Sequence, residues 1–165
     1  MPEGTPYLAV VGPGQADERL MAEARAVGRA VAQAGAVLVC GGLGGVMAGA
    51  CQGAVEAGGT TLGLLPGSDR AAANRWVTVA VATGLGELRN GLVVRSADAV
   101  VALGGGWGTL SEIALAMKAG RPVVGVGTWL VEAPLGAVAP GEVVVAAGPA
   151  EAVAAALALA FPGPP

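Results

Sequence analysis

The chain contains no histidine and a single lysine, Lys118, and charged residues make up only 13% of its 165 positions. Without imidazole there is no histidine general base and no histidine metal ligand. Two cysteines, Cys40 and Cys51, are too few for a disulfide framework, and with no histidine beside them they do not make a zinc site. They read as small apolar core residues. Neither a metal nor a resident cofactor is therefore expected. Basic residues are also scarce: nine Lys and Arg against twelve Asp and Glu leave a net charge of −3. A nucleic-acid partner is thereby excluded, because it requires a basic footprint that displaces counterions from phosphates. Long hydrophobic runs are missing as well. The composition is 54% hydrophobic, yet no stretch of about 18 residues lacks both glycine and charge, so no membrane span is expected. The opening MPEGTPYLAVVG lacks the basic start, apolar segment and small-residue cleavage site of a secretory signal, and a cytoplasmic location is expected.

What the chain does have is glycine, 29 residues of it, placed between short apolar blocks. Tyr7 to Val11 reads as a buried strand ending in Gly12-Pro13-Gly14. Asp17 is then positioned to cap a helix whose apolar stripe is Leu20, Ala24, Val27, Val31 and Ala34. Ala36 to Cys40 is a second strand, followed by Gly41 to Gly45 and a helix over 46–57. Thr60 to Leu65 and Val77 to Ala82 give two further strands. A helix over 85–95 carries Leu85, Leu88 and Leu92 on one face, with Arg89 beside that stripe. Ala99 to Leu103 runs into Gly104-Gly105-Gly106-Trp107-Gly108-Thr109 and a helix over 110–119. Strands over 122–126 and 143–146 and a helix over 149–159 close the pattern, and the terminal FPGPP is a tail.

Continuous rather than alternating apolar strands require cover on both faces, as in a parallel sheet between helix layers. The alternation of strand and helix predicts one α/β domain over 1–165, a Rossmann-like doubly wound parallel sheet of six to seven strands with helices on both faces. Ligands of such sheets sit at the carboxyl ends of the strands, which is where all three glycine clusters fall.

Helix N-termini present unpaired amides and partial positive charge, and glycine lets an anion approach them. The same glycines could instead serve only tight turns. No cluster is followed by the Lys-Ser or Lys-Thr of a P-loop, and the first turn lacks the third spaced glycine of the dinucleotide fingerprint. Three clusters together favour a phosphate cradle. Glu112 also has two readings. Thr109-Leu110-Ser111-Glu112 fits a capping box, while a carboxylate at a strand end beside an anion loop could equally hold a sugar hydroxyl or a water. Trp107 could stack on a base or pack across an interface.

Ser96 to Glu112, SADAVVALGGGWGTLSE, resembles the PGGxGTxxE region of the Lonely Guy proteins, cytokinin-activating phosphoribohydrolases long mislabelled as lysine decarboxylases. GGLGGVM at 41–47, Gly53-Ala54 and Gly58-Gly59 through TTLGLLPG resemble that family's second turn and third strand. Glu87 to Asn90 sits where its MxxRK motif falls. The resemblance covers about residues 7–126 and is nearest to a side branch of small proteins that includes molybdenum-cofactor carrier proteins. It implies a homodimer or tetramer, with Arg89 and Glu112 as catalytic residues acting on a nucleoside 5′-monophosphate. The products would be free base and ribose 5-phosphate. The ligand would be bound by Gly12 and Gly14, by Gly42, Gly44, Gly45 and Met47, by Asn90, and by Gly105, Gly106, Trp107, Gly108 and Thr109. Turns after the second and fifth strands are expected to converge there. Asn90, Gly104 and Ser111 depart from the family's lysine, leading proline and acidic residue. These departures motivate the alternative, a non-catalytic carrier or sensor of a phosphorylated, pterin-like ligand. Pyridoxal-dependent decarboxylation is excluded, because its Schiff base needs a lysine and Lys118 lies late in a helix.

Overall fold

A computed structural model describes residues 4–132 and 141–163. Seven strands form one sheet in the order β4-β3-β2-β1-β5-β6-β7, and every neighbouring pair is parallel. The strands are β1 (Tyr7–Val11), β2 (Val37–Cys40), β3 (Thr61–Leu65), β4 (Val79–Ala82), β5 (Ala99–Leu103), β6 (Val123–Val126) and β7 (Val144–Val145). The chain winds outwards from β1 to β4, returns to pair β5 against the free side of β1, and winds outwards again. The switch point lies between β1 and β5, whose register pairs Leu8 with Ala99 and Val11 with Ala102.

Alternate strand residues enter two separate cores. Leu8, Val10, Leu38, Val101 and Leu103 pack under helices α1 (Glu18–Gln33), α2 (Val46–Glu56) and α5 (Pro149–Ala160). Ala9, Val11, Val39, Val100 and Ala102 pack under the short α3 (Asn90–Arg95) and α4 (Trp107–Lys118). Asp17 accepts a hydrogen bond from the Leu20 amide at 2.8 Å, the cap expected for α1. Helices α1 and α2 lie backbone to backbone: a methyl on Gly28 would overlap the Ala50 carbonyl, and one on Gly53 the Arg25 carbonyl. Helix α2, apolar over most of its length, is thus covered on one side by α1 of the same chain.

Two expectations change. Central strands are buried on both faces, but the edge strand β4 exposes Val79 and Val81. Its register aligns these two with Leu62 and Leu64, on the face that carries only α3 and α4, and neither helix reaches this edge. The helix expected over 85–95 is a 3-10 turn, Gly86–Arg89, followed by α3. Its Leu85, Leu88 and Leu92 stripe points outwards, while Arg89, Val93 and Val94 are buried. No described helix is long and apolar enough to cross a membrane.

Candidate functional site

At the switch point a cleft of about 270 Å³ opens between the turns that follow β1 and β5. Gly12, Pro13 and Gly14 form one wall, and Gly106, Gly108, Thr109 and Glu112 of the α4 N-terminus form the other; Met47, Arg89 and Asn90 complete it. Residues from positions 12 to 112 are thus collected by the strand order alone. A larger cleft, lined by Met117, Gly120, Arg121, Pro122 and Val123, lies at the opposite ends of the strands, away from the glycine turns that follow β1, β2 and β5.

The two walls interlock through Pro13. Gly104 has φ +68° and faces the Pro13 ring, so a methyl there would meet Pro13 Cδ at 3.0 Å. Proline is confined to φ near −65°, and the family's leading proline could not adopt this turn. Beyond the wall, Thr128 Oγ1 donates to the Gly104 carbonyl at 2.6 Å and Trp129 Nε1 to the Gly106 carbonyl at 3.1 Å. The β5 turn is therefore pinned from both sides, and its amides are held without a ligand.

Helix α4 begins earlier than the sequence predicts. Its N-cap is Gly106, without a side-chain cap bond, which puts Thr109 third and Glu112 sixth in the helix. Neither can act in the expected capping box. The amides of Trp107, Gly108 and Thr109 precede the first intrahelical donor, Leu110, whose amide donates to the Gly106 carbonyl. Beside them Thr109 Oγ1 is buried with no hydrogen-bond partner.

Arg89 is the dominant charge. It is only 8% exposed, and its Nε and Nη1 have no partner. It reaches the cleft by passing over Gly41, where a methyl would overlap Nη1. None of the ion pairs among the described residues joins it to Glu112. Burial raises Glu112 to about 7, and the Arg89 guanidinium only partly opposes that rise. A buried cation with two unpaired donors thus shares the cleft with a carboxyl that is half protonated near neutral pH, whereas buried polar groups ordinarily find partners.

Nine residues expected from sequence meet here: Gly12, Gly14, Met47, Arg89, Asn90, Gly106, Gly108, Thr109 and Glu112. The expected contribution of the second turn is corrected. Gly42, Gly44 and Gly45 do not line the cleft, because Gly45 packs on the Pro13–Gly14 backbone and Gly42 lies under Leu65. The β2 turn supports the β1 turn from behind, and the helix that follows it, α2, contributes Met47 to the lining. Gly105 and Trp107 also stand outside; both are exposed at the rim. Sequence reasoning missed the roles of Pro13 and Gly41. The GPG turn was a visible signal for Pro13, whereas nothing local marks Gly41 as the passage for a side chain 48 positions later. No group of three or more His, Cys, Asp or Glu suited to a metal occurs among the described residues.

A Rossmann-like sheet with a glycine-lined cleft at its switch point defines the class. The SLOG cluster4 family profile matches residues 5–153, and the chain belongs to that family. The molybdenum cofactor binding protein of Rippkaea orientalis has a similar structure, with a TM-score of 0.86 and 34% identity over 97% of this chain and all of that one. The molybdenum cofactor carrier protein of Chlamydomonas reinhardtii superposes with a TM-score of 0.83 and 39% identity, over 94% of this chain and 98% of that one. An uncharacterised protein of Archaeoglobus fulgidus is 41% identical over 116 residues, which are 70% of this chain and 76% of that protein.

Proposed function

We propose that the protein binds and carries a phosphorylated, pterin-type small molecule, as the molybdenum cofactor carriers do, holding its phosphate in the switch-point cleft. The observation that carries this reading is the pair of unpaired Arg89 nitrogens, buried beside the unpaired Thr109 hydroxyl and the free amides of α4. A phosphate in the cleft supplies acceptors for the α4 amides and for the cleft-facing side of the guanidinium, and charge-assisted bonds to a guanidinium are the strong ones. Similarity to the two cofactor-binding proteins supports the choice of ligand.

The test is co-purification and thermal shift. Protein made in a host that synthesises molybdopterin should retain it, as measured by its fluorescent oxidation product, and Arg89→Met should lose it. No retained pterin and no stabilisation by added molybdopterin would overturn the reading.

A second reading has one observation in its favour. Glu112, with its pKa near 7, suits a general acid that protonates a departing base, which would make the protein a phosphoribohydrolase on nucleoside monophosphates. Glycoside cleavage ordinarily employs two carboxylates, and among the described residues Glu112 is the one carboxylate lining the cleft. Release of free base from adenosine or isopentenyladenosine monophosphate, abolished in Glu112→Gln, would establish it; no release across a panel of monophosphates would remove it.

A further inference from the structure

The anion cleft is too small to enclose a whole nucleotide-sized ligand. Its volume of about 270 Å³ falls below the roughly 300–1,000 Å³ of ordinary small-molecule sites. What lies at its rim then decides what the rest of the ligand touches. Trp107 stands between Gly106 and Gly108, both of which line the cleft. Successive Cα atoms are about 3.8 Å apart, so the root of the indole adjoins the anion position. The side chain is 79% exposed, an unusual state for the largest side chain in a domain this small.

It is exposed but not loose. Trp129 lies beneath it with ring centroids 5.3 Å apart and planes inclined by 33°. Trp129 is fixed by its bond to the Gly106 carbonyl and by packing against the core under α3 and α4. One indole is thereby anchored in the protein and the other is propped on it with a face open to solvent. Both are attached to the turn that shapes the cleft, so their position relative to the anion is set before any ligand arrives.

We propose that Trp107, propped by Trp129, is a stacking platform for the flat heterocycle of the ligand, so that the full site selects phosphorylated nitrogen heteroaromatics over simple phosphate esters. This rests on the cleft being an anion site and adds the specificity determinant that the cleft itself lacks. Among the described residues that line the cleft none is aromatic, and Trp107 adjoins them.

The test compares inorganic phosphate, ribose 5-phosphate and guanosine 5′-monophosphate by calorimetry and by quenching of tryptophan fluorescence. Guanine shares the amino-oxo-pyrimidine ring of pterins and reports on a ring of that class. The monophosphate should bind roughly five- to a hundredfold more tightly than ribose 5-phosphate, the range that stacking on one aromatic side chain supplies. Trp107→Ala should erase that difference and leave ribose 5-phosphate affinity within about twofold of the parent, while Trp107→Tyr should keep most of it. Equal affinities for guanosine monophosphate and ribose 5-phosphate in the parent protein, or equal weakening of both by Trp107→Ala in a variant with unchanged circular dichroism, would overturn the platform. Failure of all three compounds to bind would instead overturn the anion site on which it depends.

Discussion

Arg89 and Glu112 define the chemistry at the residue scale, and each is maintained at a cost to the fold. A buried guanidinium with unpaired nitrogens is destabilising until a partner arrives. Arg89→Met should therefore raise unfolding free energy by about 1–3 kcal/mol, read from denaturant melts, while eliminating phosphate binding. Glu112 behaves in the opposite sense to a salt-bridged carboxylate. Its folded pKa of about 7 lies above its ordinary value of 4.5, so the folded state holds a proton that the unfolded state has lost. Stability should fall as pH rises between those two values and then level off, by on the order of 3 kcal/mol in all. Glu112→Gln should flatten that part of the profile of melting temperature against pH. A phosphate bound nearby would raise Glu112 further, so calorimetry in buffers of different ionisation enthalpy should detect proton uptake on binding near pH 7. An unaltered pH profile in the glutamine variant would show that another group titrates.

At the scale of elements, the turns and the helices that meet them explain what could be read in advance. The apolar blocks at Tyr7 to Val11 and Ala99 to Leu103 identify β1 and β5, and Gly12, Gly14, Gly106 and Gly108 follow directly as carboxyl-end turns. Less legible is which turns face one another, because that depends on strand order. β1 sits between β2 and β5, and its own turn, rather than that of β2, closes on the β5 turn. The Leu85, Leu88 and Leu92 stripe also misleads. Apolar periodicity marks a face that needs cover without saying whether the same chain covers it. The packing role of Gly28 and Gly53 was not legible for a related reason, since a glycine inside a helix lowers local propensity and becomes intelligible only when a second backbone lies against it. Gly53→Ala should cost about 1–3 kcal/mol by forcing α1 and α2 apart. Gly41→Ala should instead leave the helices alone and displace Arg89, weakening phosphate binding at least tenfold in the same calorimetric assay.

For the whole molecule, unequal cover of the two faces has its own implication. Among the described elements three helices lie on one side of the sheet and two on the other, and on the side of α3 and α4 Val79, Val81, Leu85, Leu88 and Leu92 are exposed. Exposed apolar side chains in this number suit association, and we propose that copies of the chain pair through that side. Light scattering coupled to size exclusion should give a mass above that of one chain. Leu88→Asp combined with Leu92→Asp should reduce it to the monomer without lowering the melting temperature by more than a few degrees. A monomeric parent protein would refute that assignment.

The separation of β1 from β5 in the sequence has a consequence for biosynthesis. Gly12 to Gly14 leave the ribosome some 90 residues ahead of Gly106 to Glu112, and neither group forms a cavity by itself. A nascent or truncated chain that ends before α4 has no receptor to offer. On the proposed carrier reading, loading is confined to molecules in which α4 has been added, and occupancy would certify that the fold has closed.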